Sequence, residues 1–256
     1  MKEVLLKATL EAGKIIQRYF NGTFKIDNKE GINNLVTEVD KLSEDKIIEI
    51  IREYYPGHSI ISEEVGELIQ DSEYQWIIDP IDGTVNFAHG IPICCVSIAL
   101  KHKDDLLLGA VFNPMMNELF FAEKGKGATL NGIPIAVSGK TDFKKACLVT
   151  GFPYKWPESK EHPIKVFERF IMEGLPIRRL GSAAIDLCWV ACGRFDGFWE
   201  YNLSSWDVAA GYLIVQEAGG IITNFEGNPY DVFERETLAT NGLIHAAMLE
   251  AINRVG

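Results

Sequence analysis

The stretch from Ile93 to Val137 limits the possible folds of this 256-residue chain more than any other. Two apolar runs, Cys95–His102 and Leu106–Phe112, flank Asp104-Asp105, which reads as a hairpin turn. Glu118–Gly125 and Ala128–Ile135 continue the alternation, so the stretch predicts an antiparallel meander whose apolar face needs a cover. Two helical stripes lie upstream. One spans 4–20 (Val4, Leu5, Ala8, Ala12, Ile15, Ile16, Tyr19, Phe20) and stops near Asn21-Gly22. The other spans about 40–55 (Ile47, Ile48, Ile50, Ile51, Tyr54) and stops at Pro56-Gly57. Short strands are expected at Ile60-Ile61 and over Tyr74–Ile78. After Gly139 strands and helices alternate: strands at 148–152, 178–181, 195–201, 219–225 and 238–242, helices at 162–173, 182–192, 205–218 and 244–254. The expected fold class is α/β with α+β character in the N-terminal half, organised as two subdomains, 1–140 and 141–256.

Charge narrows the function. Lys+Arg 25 against Asp+Glu 36 gives a net charge of −11. That argues against direct nucleic-acid binding and against an anionic membrane surface. No run approaches the ~18 apolar residues of a membrane span, and Glu3, Lys7 and Glu11 interrupt any signal-peptide core. Cys94, Cys95, Cys147, Cys188 and Cys192 form no disulfide framework, so reduced thiols in the cytoplasm are expected. The five histidines lack zinc-ligand spacing. Gly125-Lys-Gly begins like a dinucleotide fingerprint, but no final glycine follows. Trp189, Phe195, Phe198, Trp199 and Trp206 read as core.

The chemistry concentrates at Asp79-Pro-Ile-Asp-Gly-Thr84, directly after the apolar strand Trp76-Ile77-Ile78. Two carboxylates three residues apart at a strand end can face one site, and Gly83-Thr84 can turn backbone N–H groups toward an anion. Carboxylates beside phosphate-directed N–H groups require an intervening cation, and Mg2+ suits oxygen ligands. A solvated turn is the alternative. Glu63-Glu64 after Ile60-Ile61-Ser62 also reads as a solvated acidic pair, and Asp207 as a charge at a helix start.

Together these segments resemble the inositol monophosphatase family. Asp79-Pro-Ile-Asp-Gly-Thr84, Ile61-Ser-Glu-Glu64 and Trp206-Asp-Val-Ala-Ala-Gly211 resemble its three signatures, and Leu35-Val-Thr-Glu-Val-Asp40 a fourth. Asn86-Phe-Ala-His-Gly-Ile-Pro92 and Gly181-Ser-Ala-Ala184 match as well, all in the family's order. The resemblance implies a layered αβαβα sandwich of the inositol monophosphatase/fructose-bisphosphatase type, a homodimer, and Mg2+-dependent phosphomonoester hydrolysis with two to three ions per subunit. It implies that Glu63, Asp79 and the Ile81 carbonyl hold one ion, and that Asp79, Asp82 and Asp207 hold a second. A third ion lies near Glu63, with Lys29 in its loop, although Lys29 also reads as a solvated lysine. It implies catalytic roles for Asp40, Thr84 and Glu63 around a metal-activated water. Gly83, Thr84, Arg178, Gly181, Ser182, Ala183, Glu200 and Asp207 would contact the small phosphate-ester substrate.

Glu200 lies seven residues before Asp207, an offset resembling that of the glutamate that binds inositol hydroxyls. Myo-inositol 1-phosphate is therefore the expected substrate. Glu200 also reads as an exposed strand residue, and Arg178-Arg179 as a solvated pair. Ser182 stands where animal relatives often have threonine, and Lys29–Asn34 is this chain's own, which keeps fructose 1,6-bisphosphate open as a sole or second substrate. An interaction role with the bacterial transcription machinery is the reading from another class.

Overall fold

The computed structural model describes residues 1–28, 35–153 and 161–254; Lys29 and its loop lie outside them. Helix α1 (Lys2–Tyr19) buries Val4, Leu5, Ala8, Ala12 and Ile16. After the small pair β1 (Ile26–Asn28) and β2 (Leu35–Thr37), α2 (Glu38–Tyr54) buries Val39, Ile47, Ile50 and Ile51. The apolar spacing sets one inward stripe on each helix. These stripes meet one face of an eight-stranded sheet. Its strands are β3 (Ser59–Ser62), β4 (Gly66–Leu68), β5 (Tyr74–Asp82), β6 (Cys95–His102), β7 (Asp105–Asn113), β8 (Glu118–Glu123), β9 (Ala128–Leu130) and β10 (Ile133–Pro134). The order is β10-β9-β8-β7-β6-β5-β3-β4, and only β3 and β5 run parallel. The short helix α3 (Thr84–Ala88) follows β5.

A second, five-stranded sheet takes the order β12-β11-β13-β15-β14. It comprises β11 (Leu148–Thr150), β12 (Ile177–Arg178), β13 (Gly197–Tyr201), β14 (Ile221–Thr223) and β15 (Glu236–Thr240). Helices α5 (Ala183–Ala191) and α6 (Ser205–Glu217) lie between the sheets. They share a core with Ile77, Cys95, Ala99 and Val111 on one side and with Val149, Phe198 and Ala239 on the other. The outer face of the second sheet packs on α4 (Glu161–Met172) and α7 (His245–Asn253) through Val166, Phe170, Trp199, Met248 and Ile252. The layers thus read αβαβα. Both central helices are buried nearly all round, which is why they lack a polar face. Among the described residues, no helix is long and apolar enough to cross a membrane.

Most element bounds shift by a residue or more, and three of the shifts have a local cause. The strand expected over Tyr74–Ile78 runs on to Asp82, with a register irregularity between Asp79 and Asp82 where Pro80 has no N–H to pair. The hairpin turn sits one residue earlier, with Lys103 at φ 54° and Asp105 already paired to His102. The strand expected over 178–181 shrinks to Ile177–Arg178, because Gly181 at φ 87° turns the chain into α5. Phe195, Phe198 and Trp199 are core as expected, with Trp189 and Trp206 packed partly buried against it.

Candidate active site

A cavity of about 450 Å³ opens where β5, α3, the start of α5, the end of β13 and the start of α6 meet. Glu63, Asp79, Ile81, Asp82, Gly83, Thr84, Gly181, Ser182, Ala183, Glu200 and Asp207 all line it, so the structure brings together segments far apart in sequence. Asp79 and Asp82 are 1% and 8% exposed, which removes the solvated-turn reading.

The aspartates are held by local amides. Ile81 N–H donates to Asp79 Oδ1 at 3.0 Å. Asp82 Oδ2 accepts from the Ser182 hydroxyl and the Ala184 N–H, both at 2.7 Å, at the first turn of α5. Ser204 N–H donates to Asp207 Oδ2 at 2.7 Å at the start of α6. Each bond fixes a carboxylate's orientation. Between β5 and α3, Gly83 adopts φ 88°, and a Cβ there would come within 2.8 Å of the Ile93 carbonyl oxygen. Only glycine passes both constraints.

Asp40 is fully buried and does not itself line the cavity. Its Oδ2 accepts from the Thr37 N–H at 2.8 Å and hydroxyl at 2.6 Å, closing a capping box on α2. The Thr84 hydroxyl lies 3.1 Å from Asp40 Oδ1 and 2.9 Å from the Ile81 carbonyl oxygen. One hydroxyl proton cannot serve both acceptors, so Thr84 chooses between Asp40 and the carbonyl. One turn along α2, the Ser43 hydroxyl donates to the Pro80 carbonyl at 2.9 Å.

Electrostatics follow from burial of like charges. Burial pushes Asp40 up to about 6 against its bonds from Thr37, with the Glu63 charge adding to the rise. Asp82 is likewise pushed to about 6 by burial, opposed by Ser182 and Ala184. Asp207 is raised well above the usual carboxylate range by burial and by the Asp82 and Glu63 charges. Burial and the Asp82 charge carry Glu200 to about 8, partly offset by Arg179.

Glu200 is only 8% exposed, so the exposed-strand reading fails. Its carboxylate rests against Gly151, where a Cβ would sit 2.2 Å from Oε1. Of the two neighbouring arginines, the lining residue is not the one expected from the sequence. Arg179, the residue after β12, lines the cavity, whereas Arg178, the last residue of β12, is exposed and acts on Cys147. Arg235 lines the mouth too, and nothing in its local sequence signals that. Gly151 and Ser43 escaped notice because their partners, Glu200 and Pro80, are remote in sequence.

A divalent cation suits this donor set. As placed, no group of three or more His, Cys, Asp or Glu among the described residues could hold a metal ion alone. Mg2+ needs no such cage, since it keeps several waters and shares ligands with a substrate phosphate. Crowded carboxylates whose ionisation is suppressed by burial and by one another are those a cation would stabilise in charged form.

Comparison with known proteins agrees. The model of the inositol monophosphatase family matches residues 1–256. The Haemophilus influenzae protein named Nus factor SuhB is 45% identical over 233 residues, covering 90% of this chain and 87% of its own. The Synechocystis inositol-1-monophosphatase is 44% identical over 253 residues, covering 98% and 88%. The crystal structure of the extragenic suppressor protein suhB from Bartonella henselae superposes with a TM-score of 0.93 at 35% identity, covering 99% of this chain and 98% of that one.

Proposed function

We propose that this chain, which belongs to the inositol monophosphatase family, hydrolyses myo-inositol 1-phosphate to inositol and phosphate. The family gives the reaction class, Mg2+-dependent hydrolysis of a phosphate monoester such as an inositol phosphate. The residue roles, the two to three ions per subunit and the particular ester are our reading. The observation that carries it is the meeting of Glu63, Asp79, Asp82 and Asp207 with Gly83-Thr84 in one cavity.

In this reading Glu63, Asp79, Asp82, Asp207 and the Ile81 carbonyl hold the ions. When bound, Mg2+ supplies the positive charge a phosphate dianion needs and the Lewis acidity that makes water nucleophilic near neutral pH. Thr84 Oγ orients the attacking water and passes a proton toward Asp40 Oδ1, the acceptor 3.1 Å away. With the Thr84 proton committed to Asp40, the Ile81 carbonyl keeps its lone pairs for a cation. The Gly83 and Thr84 N–H groups bind phosphate oxygens, the wall from Gly181 to Ala183 shapes the pocket, and Glu200 receives hydroxyls of the polyol. Arg179 takes the substrate-side position expected for Arg178. Among the described residues all five cysteines are free, which supports a reducing compartment, and we extend the reading to a cytoplasmic homodimer.

The test is phosphate release with Mg2+ from myo-inositol 1-phosphate, fructose 1,6-bisphosphate and adenosine 3′,5′-bisphosphate in parallel. Preference for the inositol ester, abolished by chelator, is the expected result. Faster turnover of fructose 1,6-bisphosphate would keep the ion site and overturn the inositol assignment. One finding favours a second role: the Haemophilus relative's name is that of a Nus factor. Co-purification of the transcription machinery with this protein would support it alongside catalysis.

A further inference from the structure

Helix α2 carries Asp40, Ser43 and Glu44, spaced i, i+3 and i+4, so the three share one face. All three are buried; Asp40 and Ser43 reach the Asp79–Thr84 segment, and Glu44 reaches the segment around Glu63. Asp40 meets Thr84, Ser43 holds the Pro80 carbonyl, and Glu44 turns to the chain just after β3. Glu44 Oε1 accepts three bonds there: from the Ser62 hydroxyl, from the Glu64 N–H at 3.1 Å and from the Val65 N–H at 3.1 Å. These donors bracket Glu63 on both sides. Glu63 itself is tied from the other direction, its N–H donating to the Ile78 carbonyl at 3.3 Å. A glutamate 4% exposed and spent on the backbone of a tight turn is costly unless that turn's position matters.

We infer that Glu44 is the positioning residue for Glu63. Its carboxylate fixes the turn at 63–65 so that Glu63 reaches the cavity already oriented, and it does so from the same rigid helix that sets Asp40 and Pro80. Three bonds to one carboxylate oxygen hold the turn. Glu44 does not line the cavity. The inference rests on the reading of Glu63 as an ion ligand.

Mg2+ binding is measured by calorimetry on the substrate-free full chain, for the parent, Glu44→Ala, Glu44→Gln and Ser62→Ala. Loss of a supporting partner behind a ligand typically costs ~10–100-fold in affinity. Glu44→Ala is therefore expected to weaken Mg2+ binding by about that factor. Glu44→Gln, which keeps one acceptor oxygen but replaces the other with an NH2 group, is expected to recover only part of the loss, and Ser62→Ala to lose least, both binding Mg2+ measurably more weakly than the parent. Amide exchange at Glu64 and Val65 should quicken in Glu44→Ala while amides in β6 and β7 stay protected. If Glu44→Ala does not fold, Glu44→Gln and Ser62→Ala carry the same two readouts. Unchanged Mg2+ affinity in folded variants, or exchange rising equally throughout the sheet, would overturn the inference. A parent that takes up no Mg2+ would instead overturn the ion-ligand reading on which it stands.

Discussion

Two helices begin at the cavity with the same local chemistry and different surroundings. Helix α2 starts Thr37-Glu38-Val39-Asp40, and α6 starts Ser204-Ser205-Trp206-Asp207; in each, the aspartate three residues after the cap accepts the cap's N–H. Asp40 is wholly buried, takes two bonds from Thr37 and faces the Thr84 hydroxyl. Asp207 is half-buried and lies among Asp82, Glu63 and Glu200. In the reading proposed above, a capping aspartate would serve as a proton acceptor where a hydroxyl meets it. Where other carboxylates crowd it, the same device would serve as a cation ligand. The local motif fixes the carboxylate, and the neighbours on other elements give it its task.

The sharpest break of this pairing is Asp207→Asn. Asparagine still accepts the Ser204 N–H, so α6 keeps its start, but one negative charge leaves the ion site. Turnover should fall ~10³-fold, several kcal/mol of transition-state charge stabilisation, with thermal stability kept or raised. Phosphate release and a melting curve measured together check this; preserved turnover would return Asp207 to a plain cap. Asp40→Asn should act less severely, ~10²-fold on kcat/KM, the scale of a lost general base. In the parent, kcat/KM should decline as pH falls through about 6, where Asp40 takes up its proton, and bound cations should move that limb lower. The variant should lack the limb. A pH profile of the same shape for both would remove Asp40 from proton transfer.

Much of this was legible in the sequence because the motifs are contiguous. Asp79–Thr84 announces itself as an apolar strand running into carboxylates and glycine, and the αβαβα layering is expected from the family resemblance that such motifs carry. Relations made by folding were not legible. Gly151 gives no sign that it makes room for Glu200, and Arg235, exposed just before β15, gives no sign that it lines the cavity. Arg178 and Arg179 cannot be told apart without knowing that β12 ends between them. Ser43 and Glu44 look like ordinary polar helix residues, and only burial against β3 and β5 shows their use.

Glu200 extends the comparison to a carboxyl on a strand, with no capping bond to hold it. Pushed up to about 8, it is largely neutral at pH 7 in the absence of cations and ionises above that. An ionised carboxylate accepts hydroxyls more strongly, so KM for the inositol ester should fall as pH rises through about 8. Glu200→Gln should flatten that dependence and raise KM ~10-fold, while leaving an ester without a polyol, such as 4-nitrophenyl phosphate, nearly unaffected. Equal losses on both esters would make Glu200 a support of the fold and not of recognition.

A third helix start, that of α5, gives the smallest and cleanest test. Its capping carboxylate comes from outside, Asp82, and its own first-turn acid, Asp186, is 1% exposed with Oδ1 lacking any hydrogen-bond partner. Burial first, then the Glu200 and Asp82 charges, raise Asp186 well above the usual carboxylate range, against the pull of Arg179. A raised acid binds its proton more tightly folded than unfolded, so its ionisation costs stability progressively as pH climbs above the unfolded value near 3.8. Asp186→Asn removes that cost and adds a donor. The variant should therefore melt about 2–4 °C higher at pH 7, on the order of 1 kcal/mol, with the gain shrinking toward zero near pH 4. Melting curves of both proteins across that range decide it. A gain independent of pH would mean that packing and not charge is the defect at Asp186. A loss would mean that the carboxylate, unlike its counterparts on α2 and α6, holds something that asparagine cannot.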